Sequence, residues 1–304
     1  MKAFKMMACF IAVSLVLFSL GCEPTPTYQG KAKILIFPAQ FSIPMMEARF
    51  LFLADYLTKE TGWKVEAVAS PPTMDSFFKK VETDKIAFSC QNPYLYLHLT
   101  EKYGAVPIVK VVSLDGRGEY RGLIIVQEKS PIQSPRDLRG KQIFATSRDT
   151  VGGFLAQWIL FKELGLDPER DVTYKFGDTQ EEILEEVVLG RAEVGFVRED
   201  VYQALIRVRG KRPKVKVIAT TAYYPNLCFV QYPNTDPALA QKVTTALLKL
   251  DLKNPSHRFI LERLRISGFA PASPEDYANF RNQLLSYGLL SPGAIPPPEP
   301  LKGE

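Results

Sequence analysis

Two hydrophobic periods take turns along this chain. Short aliphatic and aromatic runs, the pattern of strands buried in a sheet, alternate with longer stretches whose apolar residues recur every three or four positions, the pattern of a helix with one buried face. The strand pattern predicts elements at 33–37, 64–68, 85–89, 107–112, 122–126, 142–145, 172–174, 193–197, 215–219 and 227–231. Between them Met46, Phe50, Leu53 and Leu57 define one helix face, Ile183, Leu184, Val187 and Val188 a second, and Leu239, Val243, Leu247 and Leu250 a third. Such alternation predicts α/β layers of mainly parallel sheets, and the length suffices for two lobes. A last helix should start at Ser273, with Ser273 as cap and Pro274 at its first position, and the Pro-rich residues 291–304 should be a disordered tail.

One segment carries chemistry as well as pattern. From Gly140 to Pro168 a short strand, a polar loop and an amphipathic helix follow one another, with Asp149 or Thr150 as helix cap and Gly152 and Gly153 in the first turn. A helix start presents unpaired N–H groups and the positive end of the helix dipole, and glycines let a ligand approach that backbone. The same glycines equally suit close packing, and this segment alone leaves both readings open.

The N-terminus indicates where the chain works. Lys2 and Lys5 precede an apolar run from Met6 to Leu20, then Gly21-Cys22 and a Pro/Thr tether, Glu23-Pro24-Thr25-Pro26-Thr27. This has the charge, length and exit of a secretory signal and is too short for a comfortable membrane span. Cys22 resembles the lipid-modified cysteine of bacterial lipoproteins, although Ser19 and Leu20 depart from the usual residues; simple cleavage near Gly21 is the alternative. Without the leader, Cys90 and Cys228 remain, either as one disulfide or as two small buried side chains.

Charge excludes more than it assigns. Lys and Arg number 38 against 33 Asp and Glu, and the basic stretch Arg207 to Lys214 lacks interleaved aromatics, so no nucleic-acid partner is expected. The two histidines, His98 and His257, are isolated, and no metal-ligand spacing, GxSxG, HExxH or phosphate-loop lysine occurs. No catalytic residue, metal or cofactor is expected.

The segments Tyr56 to Gly62, Asp84 to Tyr94, Tyr120 to Val126, Asp137 to Lys141, Gly140 to Pro168, Gly190 to Arg198 and Gly268 to Pro271 together give the chain a resemblance. In their order and spacing it resembles the periplasmic substrate-binding proteins of phosphate, phosphite and phosphonate ABC transporters. The resemblance implies the two-lobed type II periplasmic binding protein fold: α/β, mixed mainly parallel sheets flanked by helices, with two hinge crossings. The expected organisation is a lipoprotein signal at 1–22, a tether at 23–31, a first lobe of 32–115 and 222–290, a second lobe of 116–221, and the tail. The crossings should fall near 113–121 and 220–226.

The resemblance also implies ligand residues. Gln91, Asn92 and Tyr94 follow a first-lobe strand, and Ser147, Arg148, Thr150, Val151, Gly152 and Gly153 occupy the anion loop. The family's Ser-Thr-Ser-Gly run is Thr150-Val151-Gly152-Gly153 here, which keeps one hydroxyl. Asp178 stands where the family often has histidine, and Asp200 matches its acidic ligand residue. Arg198, after a buried strand, either meets the ligand or pairs with Glu199 or Asp200. The implied function is that of a monomeric lipoprotein, anchored to a membrane through Cys22, that passes a small oxyanion to an ABC permease. A sensory module that presents another oxyanion, such as a sulfur oxyanion, to a membrane histidine kinase is the alternative. An enzyme on this fold would have only Cys90 as a catalytic candidate, and the export signal argues against it.

Overall fold

The computed structural model describes residues 28–37, 42–210 and 213–290. The expected signal with Cys22, most of the tether and the 291–304 tail lie outside the described residues. In chain order the first elements are β1 (Lys31–Ile36), α1 (Ile43–Thr61), β2 (Lys64–Ala69), α2 (Met74–Thr83), β3 (Phe88–Gln91), α3 (Pro93–Tyr103), β4 (Val106–Val112), β5 (Glu119–Gln127), β6 (Gln142–Ala145) and α4 (Ala156–Glu163). There follow β7 (Thr173–Phe176), α5 (Gln180–Val188), β8 (Val194–Arg198), α6 (Glu199–Arg209), β9 (Val215–Pro225), β10 (Cys228–Gln231), α7 (Pro237–Leu248), α8 (Pro255–Leu264), β11 (Gly268–Pro271) and α9 (Ala278–Ser286).

The strands form two sheets, six-stranded in the order β11-β4-β10-β3-β1-β2 and five-stranded in the order β7-β6-β8-β5-β9. β1 and β6 are each flanked by parallel neighbours, while β5, β9, β10 and β11 pair antiparallel. The parallel character predicted from helix–strand alternation therefore holds around β1 and β6. Strands that cross between the lobes, or return to the first, need no helical crossover and run the other way.

Each sheet buries both faces, which is why its strands read as near-continuous apolar runs. Beneath α1, α7 and α8 lies a core built from Ile34, Leu53, Leu57, Phe88 and Val243. Beneath α5 and α6 lies a smaller one around Ile125, Ile183, Val187 and Val197. The remaining face of both sheets shares a single core with α3, α4 and α9, including Leu35, Phe77, Leu99, Ile124, Phe154, Phe161 and Phe280. α1 shows how the sequence produces this. Pro44 lies in its first turn, and Met46, Phe50, Leu53 and Leu57, three or four residues apart, form its buried stripe.

The chain passes from the first sheet to the second between Val112 and Glu119 and returns between Pro225 and Cys228. Residues 223–225, within the stretch from 222 that the sequence assigned to the first lobe, still pair with β5. The two passages are joined: the buried Asn226 Nδ2 donates to Ser113 Oγ at 2.8 Å, and Asn226 N donates to Gly118 O at 3.0 Å. The end of the tether is also fixed, because Gln29 N donates to Gly62 O and Gln29 Oε1 accepts from Trp63 Nε1.

Cys90 and Cys228 are free and buried. In the β3–β10 register Cys228 faces Gln91 while Phe229 faces Cys90, and successive strand residues point to opposite sides of a sheet. Accordingly Cys228 lies in the shared core and Cys90 in the core beneath α1, so the disulfide alternative does not form. Burial raises both thiol pKa values, that of Cys228 to about 12.

Candidate functional site

The ends of β1, β3, β4, β8 and β10, the start of α1, the β6–α4 loop and the hinge passages surround a cavity of about 290 Å³. Its charged centre is Arg198, the last residue of β8 and the cap position of α6. The Arg198 guanidinium lies over the Tyr120 ring, 3.8 Å from its centroid, while Nε and Nη2 donate to the two Asp200 oxygens at 2.9 and 2.8 Å. Burial opposes this charge, but the Asp200 carboxylate, the Tyr120 oxygen and the hydrogen bonds to Asp200 more than offset it, so the Arg198 pKa is raised. Among the described residues Nη1 has no hydrogen-bond partner. Both alternatives for Arg198 thus coexist: it pairs with Asp200, and the pair lines the cavity.

The helix start opposite is wider than an α-helical one. Residues Val151–Leu155 form a π turn, in which Leu155 N donates to Thr150 O and Ala156 N to Val151 O. Thr150 is the cap residue, yet its hydroxyl caps nothing: it donates to Ser147 O at 2.7 Å and meets the Thr146 hydroxyl at 2.6 Å. The glycines are set by packing. A Cβ on Gly152 would lie 2.5 Å from Arg198 Cγ and 2.8 Å from the Tyr120 ring, and one on Gly153 would run into Thr146 Oγ1. The space beside Gly152, expected to admit a ligand, is filled by the stem of Arg198 and the Tyr120 ring; what reaches the cavity is the guanidinium mounted on them.

Of the residues named from sequence, the structure brings Gln91, Asn92, Thr150, Val151, Gly152, Arg198 and Asp200 to the cavity wall, with Gly153 buried behind them. Asn92 links the lobes: its Oδ1 accepts from Leu95 N and caps α3, and its Nδ2 donates to Asp149 O at 3.1 Å. Four residues lie elsewhere. The Tyr94 hydroxyl is buried and donates to Leu289 O. Ser147 donates to the Asp149 carboxylate. Arg148 makes two hydrogen bonds to Glu169 and stacks against Phe154, Tyr174 and Phe176, a pairing internal to the second lobe. Asp178 is exposed, its N–H donating to Glu182, because the chain turns into α5 at Thr179 and brings Gln180 to the cavity. Gln180 Oε1 there accepts from Arg198 N at 2.6 Å.

Sequence reasoning also passed over Arg49, on α1, Arg265, which follows α8, and Tyr120, on β5. Arg49 sits one residue before Phe50 in the apolar stripe of α1, which was the available signal. Arg49 Nε donates to Arg263 O, and burial together with the neighbouring Arg265 charge lowers the Arg49 pKa, Glu181 opposing. Arg265 reaches Glu181 across the lobes at 4.0 Å. Three arginines and two carboxylates, Glu181 and Asp200, therefore line a cavity suited to an anion. Among the described residues no cluster of His, Cys, Asp or Glu is placed to hold a metal ion, and no helix is long and apolar enough to cross a membrane.

Comparison with solved structures gives the same architecture. The fold is similar to that of a binding protein component of an ABC phosphonate transporter from Pseudomonas aeruginosa, with a TM-score of 0.70 at 16% identity over 88% of this chain and 90% of that one. It is likewise similar to PhnD1 from Prochlorococcus marinus in complex with methylphosphonate, with a TM-score of 0.72 at 15% identity over 85% and 98% of the two chains. Among curated proteins, the tetrathionate sensor histidine kinase TtrS of Salmonella typhimurium is 26% identical over 200 residues. That match covers 58% of this chain and 33% of the kinase, so the chain corresponds to about a third of that relative. The sequence model of the family described as ABC transporter, phosphonate, periplasmic substrate-binding protein matches residues 35–277, and the chain belongs to this family of periplasmic phosphonate-binding proteins.

Proposed function

We propose that the chain is an extracytoplasmic solute-binding lipoprotein that captures a small phosphonate- or phosphate-like oxyanion between its lobes for an ABC transporter. The observation that carries this reading is Arg198, a charged guanidinium held against Tyr120 at a cavity between two sheets, with Nη1 outside its ion pair. An oxyanion there takes Nη1–H, and a ligand that offers it no oxygen leaves a buried donor unpaired at a cost of about 1–3 kcal/mol. Closure of the lobes about the Ser113–Asn226 passages converts occupancy into a shape that a permease reads.

Calorimetric titration with phosphate, phosphite, alkylphosphonates and sulfate tests the ligand, and binding of none of them overturns the reading. Anchoring has its own test: the native chain expressed in a bacterium should partition into detergent, and Cys22→Ser should release it or block its processing. The kinase relative favours a second reading, a sensory module for a sulfur oxyanion presented to a membrane histidine kinase. Thiosulfate and tetrathionate added to the titration separate the two, because tetrathionate binding without phosphonate binding selects the sensor.

A further inference from the structure

The cavity has two chemically different walls. The second-lobe and hinge side presents Tyr120, Thr150, Gly152, Gln180, Arg198 and Asp200, whereas on the first-lobe side Arg49, Gln91, Asn92 and Arg265 are joined by an apolar patch of Phe37, Met46, Phe50, Val111, Phe229 and Phe269. Phe37, Met46, Phe50 and Phe269 belong to the hydrophobic cores, line this wall, and keep 7, 8, 9 and 9% of their surface exposed. A bare tetrahedral oxyanion would satisfy the polar wall and leave the apolar wall facing solvent or a void. Neither wet apolar surface nor an empty space lined by it is favourable.

The amides of the first lobe point the same way. Asn92 Nδ2 already donates to Asp149 O, Gln91 Nε2 to Cys228 O at 3.4 Å, and Asn226 Nδ2 to Ser113 Oγ. Arg49 and Arg265 also line this side, but its amides are committed, and most of what it offers the rest of a ligand is apolar contact. About 290 Å³ lies at the lower end of the ~300–1,000 Å³ typical of sites for drug-sized ligands, which leaves room beyond the head group for a ring or a branched chain.

We propose that the cleft takes an anion carrying an apolar body, of the aryl- or branched-alkyl-phosphonate or -sulfonate class, with its head group on Arg198 and its body against the Phe50–Phe229–Phe269 wall. This rests on the oxyanion reading above and narrows it. The test is calorimetric titration of the purified chain with inorganic phosphate, methylphosphonate, phenylphosphonate, benzenesulfonate and benzyl alcohol. The aryl anions should bind at least tenfold tighter than methylphosphonate, with a more negative heat-capacity change from apolar burial. Val111→Phe, which fills the apolar side, should lower the aryl-to-methyl ratio. Phosphate or methylphosphonate binding as tightly as the aryl anions overturns the apolar body and leaves the oxyanion reading standing, and so does an unchanged ratio in folded Val111→Phe. Benzyl alcohol binding as tightly as the aryl anions, or no binding by any anion, overturns both. If Val111→Phe does not fold, the ligand series on the wild-type chain decides.

Discussion

Arg198 is held as a charge in a place where burial opposes charge, and its two props have different tests. Asp200 supplies the electrostatic one. Arg198→Gln leaves that carboxylate without its guanidinium, and because hydrogen bonds to charged groups contribute about 1.5–3 kcal/mol, both urea stability and oxyanion affinity should fall, whereas an exposed pair would cost under about 1 kcal/mol. Gly152 supplies the steric one. An alanine methyl there meets Arg198 Cγ and the Tyr120 ring, so Gly152→Ala should destabilise by about 1–3 kcal/mol, measured by urea unfolding. Residues at this scale were legible in proportion to how local their causes are. Thr150, Arg198 and Asp200 sit where a strand end or helix start dictates the direction of the side chain. Asp178 and Gln180 differ by two positions, and only the turn at Thr179 decides which one faces the cavity. Arg148 is drawn away by three rings and Glu169, which no pattern along the chain announces.

Elements were more legible than residues, because hydrophobic period is a local signal and the strands are buried on both faces. The departures lie where tertiary pairing overrides it. β9 runs eleven residues, Val215–Pro225, past the apolar stretch that predicted it, since β5 offers partners for Tyr223, Tyr224 and Pro225. β11, only four residues long with Gly268 and Pro271 at its ends, has little strand propensity and exists through pairing with β4. α3 carries a pH-dependent liability. His98 meets Tyr94 edge-on at 4.7 Å, and its buried Nε2 has no hydrogen-bond partner among the described residues. Burial lowers its pKa, Glu101 opposing, so the folded chain binds this proton less readily than the unfolded one. The penalty is absent above the ordinary histidine value of about 6.5 and grows as pH falls from there through the lowered folded value. His98→Phe should therefore flatten the loss of Tm between pH 7.5 and 5, and an unchanged slope would assign that loss to other groups.

At the scale of the whole molecule the two sheets share one core, so unfolding should be a single transition despite the two-lobed outline. A ligand at one hundred times its Kd should add about 2.7 kcal/mol to that transition, visible as an increase in Tm. Separate melting of the lobes in calorimetry would contradict the shared core. The C-terminal helix is part of that union. α9 is tied to the first lobe by Arg281–Glu101 at 3.1 Å, and to the second by Phe280 against Tyr224 and by Gln283 Nε2 donating to Glu163 at 3.2 Å. Two covalent passages alone would let the lobes swing and also twist about the line between them. With α9 tied to both lobes as a third strap, a motion that parts Arg281 from Glu101 or Gln283 from Glu163 must break that tie. The lobes should accordingly move less than two passages alone would allow, and cutting the chain before Ala278 should release them, broadening label-to-label distance distributions across the cleft.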